Sequence, residues 1–236
     1  MARIYHEIPR ENGLVFGHLP ARQGEVIAMK LYYSAGSCSM SCHIGLEEAG
    51  VAYEAVKVDW GKPEGHVAEL DRLNPLGVVP VLAMNDGRTL TQNAAILEIV
   101  ADMKPESKLL APVGSWERAE TLAWLSFVAA DLHKAYSPLF GLQSISSNET
   151  TQSDVREWAM KNVHQHLAHV DAHLAGREFL MGSTFTIADA YLFTVLGWSK
   201  WVGVKMDTHK NLASYIDRVY QRPAVQAVLR SEGLLR

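Results

Sequence analysis

Cys38 and Cys42 are the residues in this chain best suited to covalent or thiolate chemistry, and their surroundings separate them. The run Met29-Lys30-Leu31-Tyr32-Tyr33 has the composition of a short strand, and Ser34-Ala35-Gly36-Ser37 that of a turn. Ser39 to Ala49 then has a helical pattern stopped by Gly50. Cys38 is therefore placed at the first turn of a helix. Unpaired backbone N–H groups and the positive end of the helix dipole favour a thiolate there. A free thiol, with a pKa of about 8.5, needs such help at neutral pH. Lone cysteines more often serve as small packing residues, and Cys42, one helical turn deeper, has that character. The spacing C-x-x-x-C is not the redox C-x-x-C motif and lacks the second ligand pair of a zinc site.

Two further stretches could hold a ligand. In Asn74-Pro75-Leu76-Gly77-Val78-Val79-Pro80-Val81-Leu82 a proline directly precedes a strand pattern. A cis Val79-Pro80 bond there would present the Val79 backbone to an extended ligand, and an ordinary edge proline is the alternative. Thr91-Gln92-Asn93-Ala94-Ala95-Ile96 is a strand-to-helix turn whose free N–H groups suit a carboxylate or phosphate. Simple capping by Asn93 is the competing reading. Among the histidines, His166, His169 and His173 flank an apolar helical stripe without a carboxylate beside them, as on a solvated face. His133 stands apart, next to Lys134-Ala135-Tyr136-Ser137-Pro138, where a long helix is expected to bend or end. A histidine there can steady a thiolate or an anion.

The elements that must position these groups fall into two halves with different patterning. Residues 29–104 alternate strand and helix: strand, helix 39–49, strand Tyr53–Asp59, a short helix or loop at 64–71, strand Val79–Met84, the turn Asn85-Asp86-Gly87, a returning strand 88–91 and helix 93–102. That order, βαβ then ββα, gives an α/β domain with a small mixed sheet. Beyond it the strand signals fade, and an all-helical half is expected. It comprises a helix from Ser115, another from about Ser153 to Ala175, an apolar helix from Ala188 to Trp201, and helices 211–220 and 224–229. Thr186-Ile187-Ala188-Asp189 is a capping box ahead of the apolar helix. The expected division is an extension over 1–28, an α/β domain over 29–108, a linker over 109–114 with Pro112 and Gly114, and a helical domain over 115–236.

With 236 residues, 48% apolar content and a net charge of -4, the composition is that of an ordinary soluble globular protein without a basic excess for nucleic acid. Two cysteines cannot build a disulfide framework, so a reducing compartment, the cytoplasm, is expected. No apolar run approaches the roughly 20 residues of a membrane span. Residues 1–28 carry charges throughout and read as a non-essential extension, or as lying ahead of a true start at Met29, rather than as a secretory signal.

Together these stretches resemble a glutathione transferase of the bacterial beta class, from Met29 to about Leu234. The resemblance rests on the residues around Cys38, the Asn74–Leu82 run and Leu90-Thr91-Gln92-Asn93-Ala94-Ala95-Ile96. It continues through His133-Lys134-Ala135-Tyr136-Ser137-Pro138-Leu139-Phe140 and Phe185-Thr186-Ile187-Ala188-Asp189-Ala190-Tyr191-Leu192-Phe193. It implies a thioredoxin-like domain followed by an all-helical domain, assembled as a homodimer, acting in detoxification with glutathione as co-substrate and no cofactor or metal. On this resemblance Cys38 and His133 are catalytic. Ser37, Lys62, Val79, Pro80, Gln92 and Asn93 bind glutathione. Tyr33 matches the family's N-terminal tyrosine, and Lys134 is a further contact. Ser126 and Ala130 stand where the class often carries larger polar residues. Asp189 is implied to serve folding, and a hydrophobic electrophile would enter near Tyr136, Phe140 and Trp198.

Three other functions remain open on the sequence. One is a redox enzyme, thioltransferase or peroxidase, using Cys38 as mixed-disulfide nucleophile. Another is a non-enzymatic carrier of apolar ligands. The last is a structural role, disfavoured because Cys38, Val79-Pro80 and Gln92-Asn93 all persist together.

Overall fold

The computed structural model describes residues 29–62 and 64–235, so the expectation for residues 1–28 lies outside the described residues. Four strands, β1 (Met29–Tyr33), β2 (Glu54–Lys57), β3 (Val81–Met84) and β4 (Thr89–Thr91), form one sheet in the order β2-β1-β3-β4. β1 pairs with β2 in parallel and with β3 antiparallel, and β3 pairs with β4 antiparallel. This is the βαβ-ββα order, with α1 (Ser39–Ala49), α2 (Val67–Leu73) and α3 (Asn93–Met103) as its helices. β3 is shorter than the expected 79–84, because Pro80 lacks an N–H for the ladder and pairing begins after it. β2 likewise shortens to the residues that face β1.

The remaining helices are α4 (Trp116–Phe127), α5 (His133–Phe140), α6 (Leu142–Ile145), α7 (Glu149–His173), α8 (Ile187–Leu196), α9 (Ser199–Val202), α10 (Lys210–Tyr220) and α11 (Pro223–Ser231). Ser115 caps α4 and Asn148 caps α7 through their side-chain oxygens. The box at Thr186 and Asp189 forms at the start of α8, all of whose residues are buried. α8 stops at Leu196 rather than running on to Trp201; Gly197 follows, and the short α9 begins at Ser199.

α4 does not end before His133. A five-residue π-helical segment, Val128–Leu132, joins it to α5, so His133 lies within a continuous helical run rather than at its C-terminal end. The dipole argument for a C-terminal histidine therefore does not apply.

Ile44 and Leu46 of α1 share a single apolar core with Ile96 and Leu97 of α3, Leu192 and Val195 of α8, and Val225 and Val228 of α11. Burial of side chains of this size contributes on the order of 2 kcal/mol each. The Arg222 guanidinium forks onto Glu48 at 2.6 and 2.7 Å, tying α11 to α1 across 174 positions. Arg118 in α4 does the same for Glu98 and Asp102 of α3. The two halves meet along α1, whose N-terminal end carries Cys38.

Candidate active site

Cys38 occupies the N-cap position of α1 and is partly buried, as the turn-then-helix pattern requires. Its thiol donates toward the Val79 carbonyl at 3.7 Å. Burial pushes the Cys38 pKa up from its ordinary value. The Asn93 side chain, its own backbone N–H, the Lys134 charge and the Ser39 N–H pull it down by less. Desolvation thus outweighs the helix terminus, and the expected thiolate is replaced by a neutral thiol able to donate. Cys42 is sealed in the core, and burial raises its thiol well above the usual value. It donates toward Asn93 Oδ1 at 3.6 Å, which fits its packing role.

Asn93, the first residue of α3, is buried and turned inward. One N–H of its amide donates to the Cys38 carbonyl at 2.8 Å, and its oxygen accepts from the Cys42 thiol. Its side chain is therefore committed within the protein, and only its backbone N–H remains at the turn. The preceding Gln92 has φ 75 and ψ 121, a conformation costly for any residue with a Cβ, and its side chain is exposed. Strain of this kind, of order 1–3 kcal/mol, concentrates at binding turns. The Val79-Pro80 peptide is cis.

The turn before Cys38 is held by the helical half. The Gly36 N–H donates to Glu232 Oε2 at 2.7 Å, and its carbonyl accepts from the Trp198 indole at 2.9 Å. Glu232 Oε1 in turn meets His43 Nδ1 at 2.9 Å, both side chains being almost fully buried. Gly36 has φ 70, and a Cβ there would overlap the Trp201 ring, so a larger residue would strain the backbone and displace that ring. Ser37 Oγ shares a hydrogen bond with Ser39 Oγ at 2.7 Å within the same turn.

His133 is partly buried beside this turn, its ring edge-on to Trp198 at 4.7 Å. Its Nδ1 lies 2.8 Å from the Tyr191 hydroxyl. Burial, helped by the Lys134 charge, lowers its pKa to about 4, so the imidazole is neutral at neutral pH. Tyr191 is not legible as a site residue, since it sits in the largely apolar run of α8, whose pattern reads as core.

Other expected residues lie apart from this cluster. Tyr33 is buried with its ring 5.1 Å from His43, and it feels Glu232 and Ser231. Lys62 is exposed on the loop after β2, 3.6 Å from Asp59. Tyr136 is a core residue whose hydroxyl bonds Ser199 at 2.5 Å, so of the three expected acceptor-site aromatics only Phe140 is open, packed edge-on against Trp198. His166, His169 and His173 lie on a partly solvated face, with His169 exposed, and their rings also pack against Trp124 and Phe127 of α4. No group of three or more potential ligands that could hold a metal ion occurs among the described residues.

Comparison with known proteins agrees with this geometry. The family models for the glutathione S-transferase N-terminal and C-terminal domains match residues 35–103 and 152–218. Glutathione S-transferase GstA of Escherichia coli O157:H7 is 37% identical over 207 residues, covering 87% of this chain and all of that protein. The solved beta-class glutathione S-transferase of Sphingomonas chungbukensis is 40% identical with a TM-score of 0.79, covering 87% of this chain and all of its own. A sphingomonad glutathione S-transferase in complex with glutathione is 41% identical with a TM-score of 0.78 and the same coverage. Fold order, the cysteine at the start of α1 and these likenesses agree, and the chain belongs to the glutathione S-transferase family, as a member of its bacterial beta class.

Proposed function

We propose that glutathione lies along the start of α1, the Val79-Pro80 turn and the start of α3, with its sulfur between Cys38 and His133. The protein is a glutathione transferase that joins the glutathione thiolate to electrophiles, with glutathione as co-substrate. The observation that carries the site assignment is the hydrogen-bonded cluster of Cys38, Val79 and Asn93 at the meeting of the two halves. In this reading the Cys38 S–H and the His133 imidazole donate to the glutathione sulfur. They favour loss of its proton to solvent and steady the thiolate until it attacks the electrophilic carbon. Lys134 adds a positive field, consistent with its effect on Cys38 and His133. The Val79 backbone pairs with the cysteinyl unit. Gln92 and the Asn93 backbone N–H hold the γ-glutamyl group, and Lys62 takes the glycyl carboxylate. Ser37 shapes the turn, Pro80 sets the direction of Val79, and Tyr33 belongs to the support behind them.

The acceptor is a small hydrophobic electrophile entering beside Phe140. The working unit is a homodimer in the cytoplasm, without nucleic-acid or membrane partners. Within the described residues no helix is long and apolar enough to cross a membrane. The domains divide as 29–108 and 115–236 about a linker at 109–114.

Cys38→Ala tests the assignment. Conjugation of a small aromatic electrophile should fall about tenfold for loss of one hydrogen bond to a charged sulfur. Unchanged conjugation would remove Cys38 from the reaction. The redox alternative draws support from the position of Cys38, and intact mass after treatment with oxidised glutathione separates the two. A stable adduct on Cys38 favours the redox function.

A further inference from the structure

Tyr191 of α8 is buried, and the hydrogen-bond partner of its hydroxyl among the described residues is His133 Nδ1 of α5, 2.8 Å away. A phenol has one O–H to donate, and a neutral imidazole has one N–H and one bare nitrogen. Were Nδ1 the protonated nitrogen, it would donate to the Tyr191 oxygen and leave the buried O–H without an acceptor. With Nδ1 bare, the O–H donates to it and the buried hydroxyl is satisfied.

We propose that Tyr191 is a positioning residue that fixes the tautomer of His133, keeping Nδ1 bare as an acceptor and placing the ring proton on Nε2, where it can donate to the glutathione sulfur. The direction of the bond follows from the donor inventory, because the buried Tyr191 hydroxyl is satisfied only when Nδ1 accepts. Nε2 has no protein partner among the described residues and is not sealed in the interior. Burial keeps Tyr191 a phenol, well above its ordinary pKa, and keeps the His133 ring neutral, so both groups hold the forms this orientation requires. The ring is also fixed in angle, wedged edge-on to Trp198 on one side and to Tyr191 on the other. A neutral imidazole of unset tautomer would spend part of its time with a lone pair toward the sulfur, repelling the thiolate. Tyr191 removes that form.

The functional half of this inference rests on the assignment of His133 to the glutathione sulfur, and the experiment separates the two. Full-length protein labelled with nitrogen-15 in histidine is read by two-bond proton–nitrogen correlation, with His133→Gln identifying the His133 signals. The wild-type ring should carry its proton on Nε2; a proton on Nδ1 overturns the inference. In Tyr191→Phe the Nδ1-protonated form should appear. The thiolate absorbance midpoint of bound glutathione should rise by about one pH unit, a tenfold change for one hydrogen bond to a charged group. Unchanged tautomer and midpoint overturn it. The wild-type spectrum decides the tautomer even if Tyr191→Phe does not fold. If His133→Gln leaves the thiolate midpoint in place, the assignment of His133 to the sulfur fails, whatever the tautomer.

Discussion

The Gly36 N–H donates to the Glu232 carboxylate at 2.7 Å, joining the turn that aims Cys38 to the residue that follows α11, 196 positions later. The same carboxylate holds the buried His43 of α1. One side chain near the C-terminus therefore serves both the loop and the helix on which the site is mounted.

Replacing Glu232 by Ala leaves two buried partners unmatched. A loss of roughly 2–6 kcal/mol is expected, about 1–3 for each buried hydrogen-bonding group left unmatched. Urea unfolding measures it as a lower midpoint at unchanged slope. Glu232→Gln, which can still accept from Gly36, should recover part of the stability. Equal losses for the two variants would show that the Gly36 bond contributes nothing.

Gly36→Ala combines a positive φ with a collision against Trp201. The backbone component alone costs about 1–2 kcal/mol. Trp201 is half exposed, so Trp201→Ala by itself should be mild. In the double variant the collision is relieved while the backbone cost stays. Thermal or urea unfolding of the cycle should therefore show partial rescue, and strict additivity would count against the collision.

Cys38 should alkylate slowly in the free enzyme at neutral pH, because burial raises its pKa. Mass spectrometry of iodoacetamide-treated protein across pH should give a midpoint above the roughly 8.5 of a free thiol. Cys42, sealed in the core, should stay unmodified until the protein unfolds. A Cys38 midpoint below neutrality would restore the helix terminus as the dominant influence.

Two buried groups give opposite slopes to stability between pH 4 and 6.5. Asp189 is raised by burial to about 6, so the folded state binds its proton more tightly than the unfolded state. Its contribution is full below the unfolded value near 4 and is lost as pH rises through 6, about 3 kcal/mol in all. His133, lowered to about 4, does the reverse: the unfolded state takes its proton first, and stability is lost as pH falls from 6.5. Wild type minus His133→Gln, in unfolding free energy, should therefore rise with pH across this window. A flat difference would mean that His133 is not held neutral in the fold.

Much of this arrangement was legible before any coordinates. The βαβ-ββα order followed from period-two and helical runs, and α1 begins and ends where the sequence places it, because Gly50 takes the left-handed conformation that stops a helix. The Thr186 box was readable for the same local reason. What depended on distant partners was not. The ionisation of Cys38 turned on burial by the second half rather than on its helix. The inward turn of Asn93 depended on Cys38 and Cys42, and the histidines of α7 found aromatic rings on α4. The role of Glu232 depended on a contact that no local spacing could signal.

The π-helical segment at Val128–Leu132 carries a further consequence. One surplus residue in a helix turns everything after it by about 100° relative to what comes before. The face that α4 presents to α7 and the face that α5 presents to Tyr191 and Trp198 are thereby set independently within one continuous rod. His133 owes its bearing toward Tyr191 and Trp198 to a phase offset upstream, so the length of that segment, and not only its composition, is part of the site.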